Sequence, residues 1–190
     1  MEYIIDGKDT IYIEELPAAR VYVKLPRKKG RQWRKYYRLV FNFNKVYPYA
    51  LETKRILTEL DSTFVTDDYN WREKSAYVKE VQSHILHSYD DAVKKMTITQ
   101  GALLMRLIDR ETGINSYELV KMYKSGMAAG FWQGVARLFG GNMKINYDPK
   151  GIDAPTEELV KKWEDDEFEG LYYSIFWKYP PKTEIVSQTK

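Results

Sequence analysis

Apolar positions recur at three- and four-residue spacing through most of this chain, the period of amphipathic helices. The pattern is clearest between Thr97 and Gly141. Ile98, Ala102, Met105 and Ile108 form one stripe, with Leu104 and Leu107 beside it. Thr97 and Gln100 have the spacing of a capping box, in which a hydroxyl and an amide satisfy orphan backbone donors. Gly113 suits a left-handed stop. Asn115 and Glu118 restart a helix at the same spacing, and Val120, Tyr123, Met127, Phe131, Gly134 and Leu138 mark its apolar face. The pattern predicts two helices joined by a tight corner, around which the chain is organised. Gly126, Gly130 and Gly134 each cost about 1 kcal/mol against alanine in a helix interior. Close approach of a neighbouring helix is the expected compensation; the alternatives are a break at Ser125-Gly126 or a partner-binding groove.

A longer helical pattern runs from Gly30 to about Leu60. Trp33, Tyr36, Val40, Phe43, Tyr47, Ala50 and Leu51 share one face, and Pro48 is expected to kink the helix or end it near Tyr47. A third helix is read from about Asn70 to Met96 on Trp71, Val78, Val81, Ile85, Tyr89, Ala92 and Met96. Thr156, with Glu158 and Leu159, opens a short acidic helix. The apolar run from Leu171 to Trp177 demands burial, and Pro180-Pro181 ends it. The period shortens only at the N-terminus, where Tyr3–Ile5 and Thr10–Ile13 flank the turn pair Asp6-Gly7 and Ala19–Val23 alternates as a third short strand. The expected fold class is mainly α: a single helical domain over 1–190. A small N-terminal β-hairpin or three-stranded element (1–25) packs on helices 30–178, with a loose tail at 180–190.

Composition narrows the function without naming it. The 190 residues are 44% hydrophobic and 30% charged, as in a globular protein. The absence of cysteine excludes disulfides, thiolate zinc sites and cysteine nucleophiles. No run of about 20 apolar residues is present, so no transmembrane helix is expected. The net charge of +3 is too small to argue for nucleic acid by itself.

Charge distribution says more. Arg31, Arg34, Lys35, Arg38 and Lys45 fall opposite the apolar face of the 30–60 helix, preceded by Lys24, Arg27, Lys28 and Lys29. Such a stripe beside Tyr and Trp is an ingredient of a polyanion-binding surface. Its aromatics, however, share the apolar stripe and are expected to be buried. The preferred reading is a solvated face opposed by Glu164, Asp165, Asp166, Glu167 and Glu169, whose position at a helix C-terminus needs basic neighbours. Arg31, Arg34, Lys35, Arg38 and Trp132 are the binding candidates. Glu80, His84, His87 and Asp91 lie on one helical stripe with metal-ligand chemistry. They lie opposite the apolar face and lack a second ligand source, so no metal is expected there. Asp109-Arg110-Glu111, with Glu118 close behind, offers carboxylates for acid–base work on a glycan. The same trio also makes a structural ion-pair cluster, the preferred reading. No P-loop, nucleophile elbow, zinc-protease motif or dinucleotide fingerprint occurs.

Several segments resemble a known family. Gln100-Gly101, Leu107-Ile108-Asp109-Arg110-Glu111-Thr112-Gly113, Ser116 through Lys121, Phe131-Trp132 and Tyr147-Asp148-Pro149 carry the likeness. So do the Asp6-Gly7 turn, Gly30 through Arg38 and Tyr47-Pro48-Tyr49-Ala50, so the likeness covers nearly the whole chain. It is to an uncharacterised family of Bacteroidetes known only as a domain of unknown function. Members typically begin with a signal peptide, which implies export to the envelope. This chain opens without one and is expected to be a processed or trimmed form. The resemblance supplies no catalytic residues to carry over, and no cofactor is expected.

The sequence thus points to a non-catalytic helical interaction or ligand-binding module of the bacterial envelope. Its partner would be another envelope protein or a glycan, and not nucleic acid. The rivals are an enzyme on envelope glycans using Asp109, Glu111 and Glu118, and a polyanion- or nucleic-acid-binding module using the face from Arg31 to Lys45.

Overall fold

The structure, a computed structural model, describes residues 2–6, 9–13, 21–66, 70, 72–73, 76, 92, 95–114 and 146–183. Among these the architecture is mainly helical. Four helices build it: α1 Arg31–Thr66, α2 Ile98–Thr112, α3 Ala154–Glu164 and α4 Phe168–Phe176. Backbone pairing of Glu2–Asp6 with Asp9–Ile13 is the only strand pairing described. The expected β element packed on the helices is not supported. Val21–Val23, read as part of a third strand, lies in an irregular segment that leads to Gly30.

The first helix starts where the sequence places it. Gly30 adopts φ 125°, a conformation open mainly to glycine, and its carbonyl accepts from Arg34 N at 3.1 Å. Of the kink or end expected at Pro48, the end does not occur: α1 runs on to Thr66 with the proline inside it. A mid-helix proline costs about 3 kcal/mol. Here Val40, Phe43, Val46, Tyr47 and Ala50 are all buried around it, each large side chain contributing about 1.5–3 kcal/mol. Burial on both sides outweighs the lost backbone bond. Asn44 Nδ2 also donates to Pro181 O at 3.1 Å, tying the C-terminal segment to this part of α1.

The second helix has both predicted caps. Thr97 Oγ1 accepts from Gln100 N, Gln100 Oε1 accepts from Thr97 N, and Gly113 closes the helix at φ 68°. Its buried face differs from the expected stripe. Gln100, Leu103, Leu104, Leu107, Ile108 and Glu111 are buried, while Ile98 is exposed and Ala102 and Met105 lie at the margin. This face packs on α1. Asn70 Oδ1 accepts from the backbone of Arg72 and Glu73, a start signal at the predicted position of the next helix. Most of that helix, and all of 115–141 with its three glycines, lies outside the described residues.

The third helix begins at Ala154, two residues before the expected Thr156, with Pro155 in its first turn. Thr156 is buried instead. An aromatic cluster closes the core: Phe43 stacks on Tyr47 at 4.6 Å, and Trp163 meets Tyr47 edge-on at 5.3 Å. Phe168 lies 5.1 Å from Phe43 and Tyr172 lies 4.5 Å from Phe176. These ring contacts seat α3 and α4 against α1.

Candidate functional site

The second helix presents polar residues as well as leucines, and they reach two neighbours. Glu111 accepts from Tyr47 Oη at 2.9 Å, Lys54 Nζ at 3.0 Å and Arg110 Nη1 at 2.7 Å. Burial pushes the Glu111 carboxyl up, but these hydrogen bonds outweigh it and hold the group below its ordinary value. Arg110 reaches Glu157 and Glu164 of α3, at 3.2 and 2.8 Å. Asp109 Oδ2 accepts from Tyr147 N at 2.6 Å, and Arg106 pairs with the buried Asp153 at 2.7 Å. The trio Asp109-Arg110-Glu111 therefore clamps α2 to α1, to α3 and to the loop between. With only 2% of its side chain exposed and both oxygens taken, Glu111 is not placed to meet a substrate.

Two of the five acidic residues expected to face the basic stripe are held elsewhere. Glu164 is held by Arg110, and Glu167 by Lys162 at 3.0 Å. Among the described residues the stripe itself pairs elsewhere only at Lys45, whose Nζ donates to Gln100 Oε1 at 3.3 Å. Arg31, Arg34, Lys35 and Arg38 are exposed on the first two turns of α1 and make no ion pair among the described residues. The expected charge cancellation is corrected on that ground.

The basic surface is larger than the helix. Residues 24–38 hold eight cations, Lys24, Arg27, Lys28, Lys29, Arg31, Arg34, Lys35 and Arg38, and no carboxylate. The segment 21–29 lies along α4, fixed by Leu25 N donating to Ser174 O at 3.1 Å and Trp177 Nε1 donating to Leu25 O at 3.2 Å. Lys24 and Arg27 lie over the Trp177 ring at 6.0 and 5.5 Å, and Lys28 over Trp33 at 4.3 Å. Between this segment and the helices runs a groove of about 490 Å³, with Trp33, Tyr36, Tyr37 and Glu158 in its lining.

Two aromatic expectations are corrected here. Trp33, assigned to the apolar stripe, is 36% exposed in the first turn of α1, where Lys28 lies over its ring. Trp177, assigned to the buried C-terminal run, is 48% exposed. It caps α4 in the left-handed region at φ 59°, which swings its ring out of the helix line toward Lys24 and Arg27. The run Leu171 to Phe176 did signal burial, but the turn chemistry at Trp177 depends on its bond to Leu25, a residue 152 positions away. Glu118, Trp132, Glu80, His84, His87 and Asp91 lie outside the described residues, which contain no group of His, Asp and Glu able to hold a metal. No helix among the described residues is long and apolar enough to cross a membrane.

The fold and surface define a mainly α-helical domain whose distinctive exterior is basic and aromatic. The chain belongs to the family described as domain of unknown function DUF4294, whose model matches residues 9–162. That span includes the basic segment, α1, α2 and most of α3, and stops short of Trp177. No curated protein and no solved structure matches the chain.

Proposed function

We propose that this chain is a non-catalytic binding module whose basic, aromatic face holds a polyanionic partner, and that it acts as an exported protein of the bacterial envelope. One observation carries the binding reading. Eight cations gather within residues 24–38 with no carboxylate among them, and none forms an ion pair among the described residues. Like charges at this density repel one another, so the face is stabilised by an external anion. Trp33 and Trp177 lie within the same face, where indole rings add contact area beside the cations. A tryptophan held at positive φ costs on the order of 1 kcal/mol, and strain of this kind concentrates at functional positions. Support for the envelope is separate: it rests on the likeness to a family whose members typically begin with a signal peptide. The glycan-enzyme reading has less support, since Asp109 and Glu111 are both engaged within the fold.

Retention on a heparin column tests the reading. The full chain should elute well above physiological salt, with affinity falling steeply as salt rises. Arg31→Glu with Arg34→Glu should abolish retention, whereas Lys150→Glu with Lys161→Glu, an equal change in net charge elsewhere, should not. Equal loss in both pairs would reduce the effect to net charge and overturn the proposed face.

A further inference from the structure

We infer, resting on the polyanion reading above, that the partner of this face is the surface of an anionic lipid bilayer, which the chain meets without spanning. The charge alone does not select a lipid; the aliphatic residues between the cations do. Val21, Val23 and Leu25 are 87%, 68% and 52% exposed. Tyr22 between them turns inward, its ring 5.9 Å from Tyr173 and 6.2 Å from Tyr179. The segment is therefore anchored through Tyr22 and the Leu25 backbone, and its valines point away from the protein. An exposed aliphatic residue is ordinary by itself. Three at alternating positions, beside an exposed Trp177 and Tyr179 and among Lys24, Arg27 and Lys28, form a different arrangement. A soluble polyanion such as a nucleic acid or an acidic polysaccharide engages cations and ring faces, and gives outward valines nothing to bury against. A bilayer interface uses all three: headgroup phosphates for the cations, the headgroup belt for indole and phenol rings, and the acyl boundary for the valines. Lysine and arginine stems reach past buried apolar groups to leave their charges at headgroup level.

Co-sedimentation of the full chain with vesicles tests this, using phosphatidylcholine alone and phosphatidylcholine with about 30% phosphatidylglycerol, which carries a negative surface potential. Heparin retention and binding to a short DNA duplex run in parallel. Of the two vesicle types, only the anionic one is expected to bind the chain, alongside the heparin retention expected above. Val21→Ser with Val23→Ser leaves the charge unchanged and removes exposed side chains the fold does not use. That pair should weaken vesicle binding about tenfold and leave heparin elution where it was. Arg31→Glu with Arg34→Glu should weaken both. Heparin or DNA binding without vesicle binding would overturn the lipid inference and leave the polyanion reading standing. So would vesicle binding that ignores the serine pair. Failure to bind any of the three would overturn both.

Discussion

Gln100 Nε2 donates to Asn42 Oδ1 at 3.1 Å, joining α2 to α1 through two buried amides. The same Gln100 accepts from Thr97 N at 3.0 Å, and so completes the helix cap. One side chain thus starts a helix and docks it. Gln100→Ala removes a cap, worth about 0.5–2 kcal/mol, and strands the buried Asn42 amide, worth about 1–3 kcal/mol. A loss of about 2–4 kcal/mol is expected in denaturant unfolding. Asn42→Ala alone should cost less, and the double variant should fall short of the sum by about 1 kcal/mol. Strict additivity would show that the two amides do not act together.

The Glu111 carboxylate lends the fold a pH dependence with a definite sign. Its folded value lies below the ordinary 4.5, because hydrogen bonds from Arg110, Lys54 and Tyr47 outweigh burial. A group depressed in the folded state contributes stability that is fully present above its unfolded value and is lost as pH falls through the folded one. Glu111→Gln should therefore cost about 2 kcal/mol near neutral pH, with the gap to the parent closing below about pH 4. Melting curves across that range check it. A gap that stays constant down to pH 3 would assign the loss to shape and not to charge.

Local signals in this chain were readable and long-range ones were not. Thr97, Gln100 and Gly113 announce their helix because a cap is made by residues three or four positions apart. Leu104, Leu107 and Ile108 are buried as expected, but the limits of that face were misplaced for a related reason. Its true stripe runs 100, 103, 104, 107, 108, 111, with a polar residue at each end. Hydrophobicity excludes Gln100 and Glu111 from a core stripe and admits Ile98 in their place. Their burial is licensed by Asn42, Tyr47 and Lys54, more than fifty positions away. Pro48 teaches the same lesson, since the rule that breaks helices is local and the packing that overrides it is not. The cations of the candidate face were legible as composition. What could not be read was whether Glu164 and Glu167 would meet them or be held by Arg110 and Lys162.

Tyr172 is fully buried, and its hydroxyl has no hydrogen-bond partner among the described residues. Burial raises its pKa accordingly. Removing an unmatched buried hydroxyl while keeping the ring retains the contacts to Phe176 at 4.5 Å and Phe168 at 6.2 Å. Tyr172→Phe should therefore be stabilising by about 1 kcal/mol, visible as a melting temperature a few degrees higher. A lower melting temperature would reveal that the hydroxyl has a partner in the folded protein.

The seat of the basic segment offers the last test. A side chain at Gly170 would place its Cβ 2.9 Å from two carbons of the Tyr22 ring, closer than real contacts allow. The ring has little room to retreat, since Tyr173 and Tyr179 flank it. Gly170→Ala gains up to about 1 kcal/mol of helix propensity in α4 but forces Tyr22 off its seat, an overpacking cost of about 1–3 kcal/mol. The net change in global stability should therefore be small, and the local change large. The Leu25 amide, which donates to Ser174 O, should lose protection from hydrogen exchange, and trypsin should cut faster after Lys24 and Arg27. In a Tyr22→Ala background the clash is gone, and the same substitution should become stabilising by about 0.5–1 kcal/mol. Unaltered protection at Leu25 in Gly170→Ala would mean that the segment is held by Trp177 and its own backbone, with Tyr22 a passenger.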